Sequence, residues 1–211
     1  MLKLFIFDLD GTILDTIEDI HNSLMQTLKI YNFKEFDIET TKSYVGDGFS
    51  MLIKRAIGEN PYKEEYEKTF REIYSQNQTI NTKIFKNLTE TLSHLKNLNK
   101  ILIVLSNKAF FNTDYLIKHY KLDKYFDKWY GGDSFSEKKP SAVPIKSILN
   151  DYGIKCSDAI IIGDNYTDIE AGKNANIKTC FCKYGYGKLS DVRADFEIGD
   201  PLELKFLDGS R

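Results

Sequence analysis

Cysteine is scarce, with Cys156, Cys180 and Cys182 the three in 211 residues. An odd count at irregular spacing excludes a disulfide framework. No cluster of Cys and His supports a zinc site. Cys180-Phe181-Cys182 reads as small apolar residues on or just after a buried strand. Histidine is equally sparse. His21, His94 and His119 fall in helical stretches outside any motif and read as structural. No charge of one sign dominates: 29 Lys and Arg face 31 Asp and Glu, a net charge of −2. With no strongly basic tract, nucleic acid is not the expected polyanion partner. The apolar runs are too short to cross a bilayer, so no membrane association is expected. The run from Met1 to Phe7 enters a strand-like pattern at once, without the segments of a secretory signal. A cytoplasmic location is the expectation.

What is present is an ordinary globular composition, 42% hydrophobic and 28% charged. The length suits one large domain, or a core with a smaller module. Residues 2 to 7 are apolar apart from Lys3, as in a strand covered on both faces. From 16 to 80 the pattern is helical. Ile17, Ile20, Leu24 and Leu28 share one face, and Thr16 with Asp19 resembles a capping box. Phe49, Leu52, Ile53, Ala56 and Ile57 share another, with Gly58 where a helix would stop. Tyr62, Tyr66, Phe70 and Ile73 continue the rhythm. From 83 onward helices alternate with strands, at 101–105, near 128–131, at 159–162, at 178–182 and, at an edge, 196–198. Strands alternating with helices argue a parallel α/β sheet. The fold class expected is a doubly wound, Rossmann-like core with a small α-helical insertion after its first strand.

Three apolar strands end in polar residues: Asp8 and Asp10, Ser106 and Asn107, Asp164 and Asp168. In open α/β sheets ligands bind outside the carboxyl ends of the strands. If these strands are neighbours, the groups meet in one crevice. Carboxylates crowded together raise one another's pKa. A hard divalent cation such as Mg²⁺ relieves this by taking carboxylate, water and phosphate oxygens. Ser106, a lysine at 138 or 139, and backbone N–H groups around Gly11 can serve a phosphate. A carboxylate can attack phosphorus covalently.

Asp8-Leu9-Asp10-Gly11-Thr12 resembles the first motif (DxDGT) of the haloacid dehalogenase-like phosphatase superfamily. Ser106 resembles its second motif, Lys139 before Pro140 its third, and Gly163-Asp164-Asn165-Tyr166-Thr167-Asp168 its fourth. The four occur in the family's order and span nearly the whole chain. The resemblance implies that Asp8 is the nucleophile and forms an aspartyl-phosphate, and that Asp10 is the acid and base. It implies Mg²⁺ held by Asp8, the main-chain carbonyl of Asp10, and Asp164. Gly11, Thr12, Ser106, Asn107 and Lys139 would hold the phosphoryl group, and Asp168 would orient Lys139 or a metal-bound water. It further implies a core of residues 1–15 and 83–211 and an α-helical cap of residues 16–82, hinged near 13–17 and 80–86. The partner expected is a small phosphorylated metabolite, with the chain a monomer or a homodimer.

A narrower similarity is to phosphoglycolate phosphatases, through residues 15–20, Val45-Gly46-Asp47-Gly48, Gly131-Gly132-Asp133 and Lys139-Pro140 with Pro144. Gly46, Asp47 and Gly48 are then substrate contacts from the cap, or only a turn between helices. Ser106 and Asn107 are also good helix caps. Tyr184-Gly185-Tyr186-Gly187 reads as the rim of the site or as a surface loop. Phosphoglycolate is the first candidate substrate. A sugar-phosphate phosphomutase and a pyrophosphatase or nucleotidase would use the same carboxylates. A non-catalytic ligand-binding protein is the alternative of another class.

Overall fold

The computed structural model describes residues 1–207. In chain order the elements are β1 (Leu4–Phe7), β2 (Leu14–Asp15), α1 (Ile17–Ile30), α2 (Ile38–Tyr44), α3 (Phe49–Ile57), α4 (Glu64–Asn77), β3 (Lys83–Ile84), α5 (Leu88–Asn97), β4 (Ile101–Leu105), α6 (Phe110–His119), β5 (Lys128–Tyr130), α7 (Val143–Tyr152), β6 (Ala159–Gly163), α8 (Tyr166–Asn174), β7 (Lys178–Cys182) and β8 (Phe196–Ile198). Short 3₁₀ turns cover Cys156–Asp158 and Pro201–Phe206.

Six strands form one parallel sheet in the order β5-β4-β1-β6-β7-β8. The four residues of β1 are fully buried because helices cover both faces. Phe5 and Phe7 pack with Leu92 of α5 and Leu116 of α6. Leu4 and Ile6 pack on the other face with Ile145 and Ile148 of α7 and Ala171 of α8. Strand periodicity puts alternate side chains into the two layers of core. Chain reversal from β1 to both β4 and β6 makes the doubly wound pattern, and β1 lies at the switch point where a crevice opens.

The helical block α1–α4 lies between β2 and β3, which pair antiparallel as a two-residue ribbon. It has its own core, in which Leu24, Leu28, Leu52, Ile53, Phe70 and Tyr74 meet. Phe49 stands edge-on to Phe70 and Tyr74, at centroid distances of 4.9 and 5.3 Å. Helix α2 went unread in the sequence because Thr41 is its one buried residue. Among the described residues no helix is long and apolar enough to cross a membrane.

The capping box expected at Thr16 and Asp19 is absent. Thr16 makes no side-chain capping bond to α1. Its hydroxyl donates to Asp10 Oδ1 at 2.6 Å. Asp19 is buried and accepts from the backbone N–H of Asn81 (2.9 Å) and of Thr82 (2.9 Å), and from the Thr82 hydroxyl (2.8 Å). Both side chains tie the start of α1 to other parts of the chain, and tertiary partners displace the local cap.

Candidate active site

The ends of β4, β1 and β6 are adjacent, and their following residues converge. The Asp8 N–H donates to Ile162 O of β6 at 2.8 Å, which extends the sheet by one residue and aims the carboxylate outward. The chain then turns through Gly11 at φ +83°. A Cβ there would stand 2.0 Å from Asp164 Oδ2, so only glycine fits between the two strand ends.

Lys139 is the buried hub. Its Nζ donates to Asp8 Oδ1 at 2.7 Å and to Asp168 Oδ1 at 2.6 Å. The Lys139–Pro140 peptide is cis. Asp168 Oδ2 accepts from the Asn165 N–H at 3.1 Å, closing a capping box that starts α8. One carboxylate thereby fixes both the helix and the lysine. Asp164 Oδ2 accepts from the N–H groups of Tyr186 (3.0 Å) and Gly187 (2.8 Å). Oxygens of Asp8, Asp164 and Asp168 lie within 4.8 Å of one another.

Burial sets the electrostatics. It pushes the Asp8 carboxyl up to about 7, and Asp168 and Asp10 add to the rise while Lys139 opposes it. Burial, Asp8 and Asp168 raise Asp164 well above the carboxylate range. Burial would lower Lys139, but Asp168 and Asp8 outweigh it and hold the ammonium charged. The site is thus an oxygen-rich cluster with too few cations. That donor set fits a hard divalent ion.

Asp8, Asp10, Ser106, Asn107 and Asp164 line one cavity of about 30 Å³, which Val45, Gly46, Gly48, Phe49 and Leu52 of the helical block roof over. Ser106 Oγ accepts from the Lys108 N–H at 3.1 Å; α6 starts later, at an Ala109 cap, so Ser106 is not its N-cap. Asn107 Nδ2 donates to Gly46 O and to Lys139 O, each at 2.9 Å, which joins the helical block to the core. Thr12 is buried and its Oγ1 has no hydrogen-bond partner. Of the helical block's three loop residues, Gly46 and Gly48 line the cavity. The Asp47 carboxylate turns to Arg55 (2.6 Å) and the Tyr166 hydroxyl (2.8 Å).

Sequence reading missed Lys108 and left Tyr186 undecided. Tyr186 lines the cavity, and its hydroxyl stands 2.9 Å from Thr16 Oγ1. Lys108 Nζ lies 3.1 Å from Asp10 Oδ1 and 2.8 Å from the Tyr74 hydroxyl. Its one sequence signal is its place directly after Ser106-Asn107. Cys180 and Cys182 are buried in β7 as read, and His21 ties α1 to Thr41 of α2 at 2.8 Å.

Residues 5–182 match the family model described as haloacid dehalogenase-like hydrolase. The chain belongs to that family. It is therefore a hydrolase by descent, and the segments that resemble the family's motifs meet in the crevice at the β1 switch point. A phosphoglycolate phosphatase of Aquifex aeolicus is 36% identical, over 96% of this chain and 95% of its own length. One from Neisseria meningitidis is 31% identical, over 94% of this chain and 90% of its own. Among solved structures, a predicted phosphoglycolate phosphatase from Haemophilus somnus superposes with a TM-score of 0.88 at 25% identity, over 96% of each chain. CbbY of Rhodobacter sphaeroides, solved in complex with phosphate, gives a TM-score of 0.84 at 19% identity over 99% of each chain, a likeness of fold alone.

Proposed function

We propose that the chain is a Mg²⁺-dependent phosphatase acting on a small phosphorylated metabolite in the cytoplasm, with 2-phosphoglycolate as first candidate. The observation that carries it is the Lys139 ammonium shared between Asp8 and Asp168, beside the Asp164 carboxylate. A carboxylate held by one oxygen has its other oxygen available for attack. Two relatives named phosphoglycolate phosphatase, each matched over nine-tenths of this chain, support the substrate.

Asp8 attacks phosphorus. A bond forms from its carboxylate oxygen to phosphorus, and the bond from phosphorus to the alcohol oxygen breaks. Asp10 gives that oxygen its proton. Asp10 then takes a proton from water, whose oxygen attacks the aspartyl-phosphate and frees inorganic phosphate and Asp8. Lys139 and Ser106 stabilise the phosphoryl oxygens, and the N–H groups after Asp8 are donors of the same kind. Asp8, Asp164 and the Asp10 carbonyl would hold Mg²⁺, which when bound neutralises phosphate charge. Asp168 orients Lys139. The helical block of residues 16–82 serves as a cap that excludes bulk water, hinged at β2 and β3.

The test is a panel of 2-phosphoglycolate, nucleotides, pyrophosphate and sugar phosphates with Mg²⁺, assayed for released phosphate. The expected outcome is a preference for 2-phosphoglycolate that Asp8→Asn abolishes. An inert panel, or an Asp8→Asn protein with full activity, would overturn the reading.

A further inference from the structure

The cavity has carboxylates on its floor and apolar side chains in its roof. Among the described residues lining it, Lys108 is the one cation. Lysine is rarely buried without a strong partner, yet the Lys108 side chain is only 1% exposed. It leaves the loop after β4 and runs under the helical block, with its Nζ 4.4 Å from the centre of the Tyr74 ring and 5.0 Å from that of Phe49. The aromatic faces and the Tyr74 hydroxyl replace part of its lost hydration. An ammonium has three donors. Asp10 Oδ1 at 3.1 Å and the Tyr74 hydroxyl at 2.8 Å account for two of them.

Lys108 is not needed to hold the phosphoryl group, for which Lys139 and Ser106 suffice in the reading above. Nor does Asp10 depend on it for a partner, because the Thr16 hydroxyl donates to the same oxygen at 2.6 Å. What remains is a cation on the leaving-group side of the site, within one hydrogen bond of the proposed acid. The cavity's apolar lining is Ile20, Val45, Phe49 and Leu52, and its uncharged polar side chains are Ser106, Asn107, Asn165 and Tyr186.

We propose that Lys108 is the specificity-determining residue of this site, binding a carboxylate joined to the substrate phosphate by a short carbon link. The proposal rests on the phosphatase reading and narrows its substrate class to short phosphorylated acids. The closeness of Lys108 to Asp10 fixes the link as short. A neutral alcohol offers the third N–H of Lys108 an uncharged acceptor, whereas a carboxylate offers a charge-assisted one and neutralises the buried ammonium.

The test compares 2-phosphoglycolate with its alcohol analogue, 2-hydroxyethyl phosphate, in the Mg²⁺-loaded full chain and in Lys108→Met. The ratio of kcat/KM values, acid over alcohol, is expected to fall about 10- to 100-fold in the variant, chiefly through KM. A ratio unchanged while both substrates slow together would overturn the proposal, because Lys108 would then act only through Asp10. If Lys108→Met does not fold, Lys108→Gln keeps a hydrogen-bond donor without the charge, and the same ratio decides. If the unaltered chain hydrolyses neither compound, 2-phosphoglycolate fails as the substrate, and the wider panel decides the phosphatase reading separately. Calorimetric titration with the two compounds then still decides Lys108. Tighter binding of the acid, lost in Lys108→Met, supports its role, and equal binding of both by the unaltered chain overturns it.

Discussion

The carboxylate of Asp19 accepts from both the N–H and the hydroxyl of Thr82, across 63 positions of sequence. It also accepts from the N–H of Asn81. One buried side chain at the start of α1 therefore satisfies the backbone where the chain leaves the helical block for β3. Replacing Asp19 by Ala leaves those N–H groups without an acceptor. The expected cost is about 2–4 kcal/mol of stability. Urea unfolding would show it as a lower midpoint at unchanged slope. A loss within about 0.5 kcal/mol would mean that the ribbon holds without this carboxylate.

The metal-free protein is expected to gain stability as pH falls from 8 toward 5. The Asp8 carboxyl is pushed up to about 7 in the folded chain against its ordinary value of 3.8, and Asp164 is raised as well. Between those values the folded state binds more protons than the unfolded state, so acid favours folding. The penalty of the ionised Asp8 carboxylate is complete above about pH 7 and lifts as it is protonated, and the raised Asp164 acts in the same direction. Thermal unfolding in a chelator should therefore give a Tm that rises on acidification, with a shallower rise in Asp8→Asn. Added Mg²⁺ at pH 8 should raise Tm and flatten the dependence. A chelated protein whose Tm falls over the same range, with the same slope in Asp8→Asn, would contradict the charge balance of the site.

The core was legible because β1, β4 and β6 are apolar on both faces and end abruptly in Asp8, Ser106 and Asp164. Two-sided burial leaves a signal in every residue of such a strand. The neighbouring order of these strands was an assumption, and the registers supply it. What sequence did not carry was long-range partnership. Thr16 and Asp19 have the spacing of a capping box, yet their partners lie at Asp10 and Thr82. Lys108 looks like any surface lysine until α4 brings Tyr74 over it. The segment from Tyr184 to Gly187 has the composition of a loose loop, but its N–H groups are anchored by the Asp164 carboxylate. Asp47 has the position of a substrate contact, and its partners Arg55 and Tyr166 emerge only when the helical block and α8 meet.

Thiol chemistry should divide the cysteines by burial. Cys156 is exposed, while Cys180 and Cys182 are buried in β7. Burial pushes the Cys180 thiol up to about 12, and Cys182 is raised by burial and by Cys180. The thiolate is the reactive form, so neither should react in the folded chain. A disulfide reagent should titrate one thiol in the native protein and all three in denaturant. Fast reaction of more than one native thiol would show that β7 opens locally.

Gly11 and Gly153 both have positive φ, +83° and +62°, but their surroundings differ. Alanine at 153 would have its Cβ in open space, so Gly153→Ala bears the left-handed strain alone, about 1 kcal/mol. Alanine at 11 would put its Cβ 2.0 Å from Asp164 Oδ2, and either that carboxylate or the turn after Asp8 must move. A displacement of this size at the proposed nucleophile and metal ligand costs about 100-fold in rate. Gly11→Ala is therefore expected to lose about that much kcat while far-UV circular dichroism is preserved. Gly153→Ala should lower Tm by a few degrees and leave kcat alone. Equal kcat in the two variants would mean that the close approach of Gly11 to Asp164 does not set the geometry of the site.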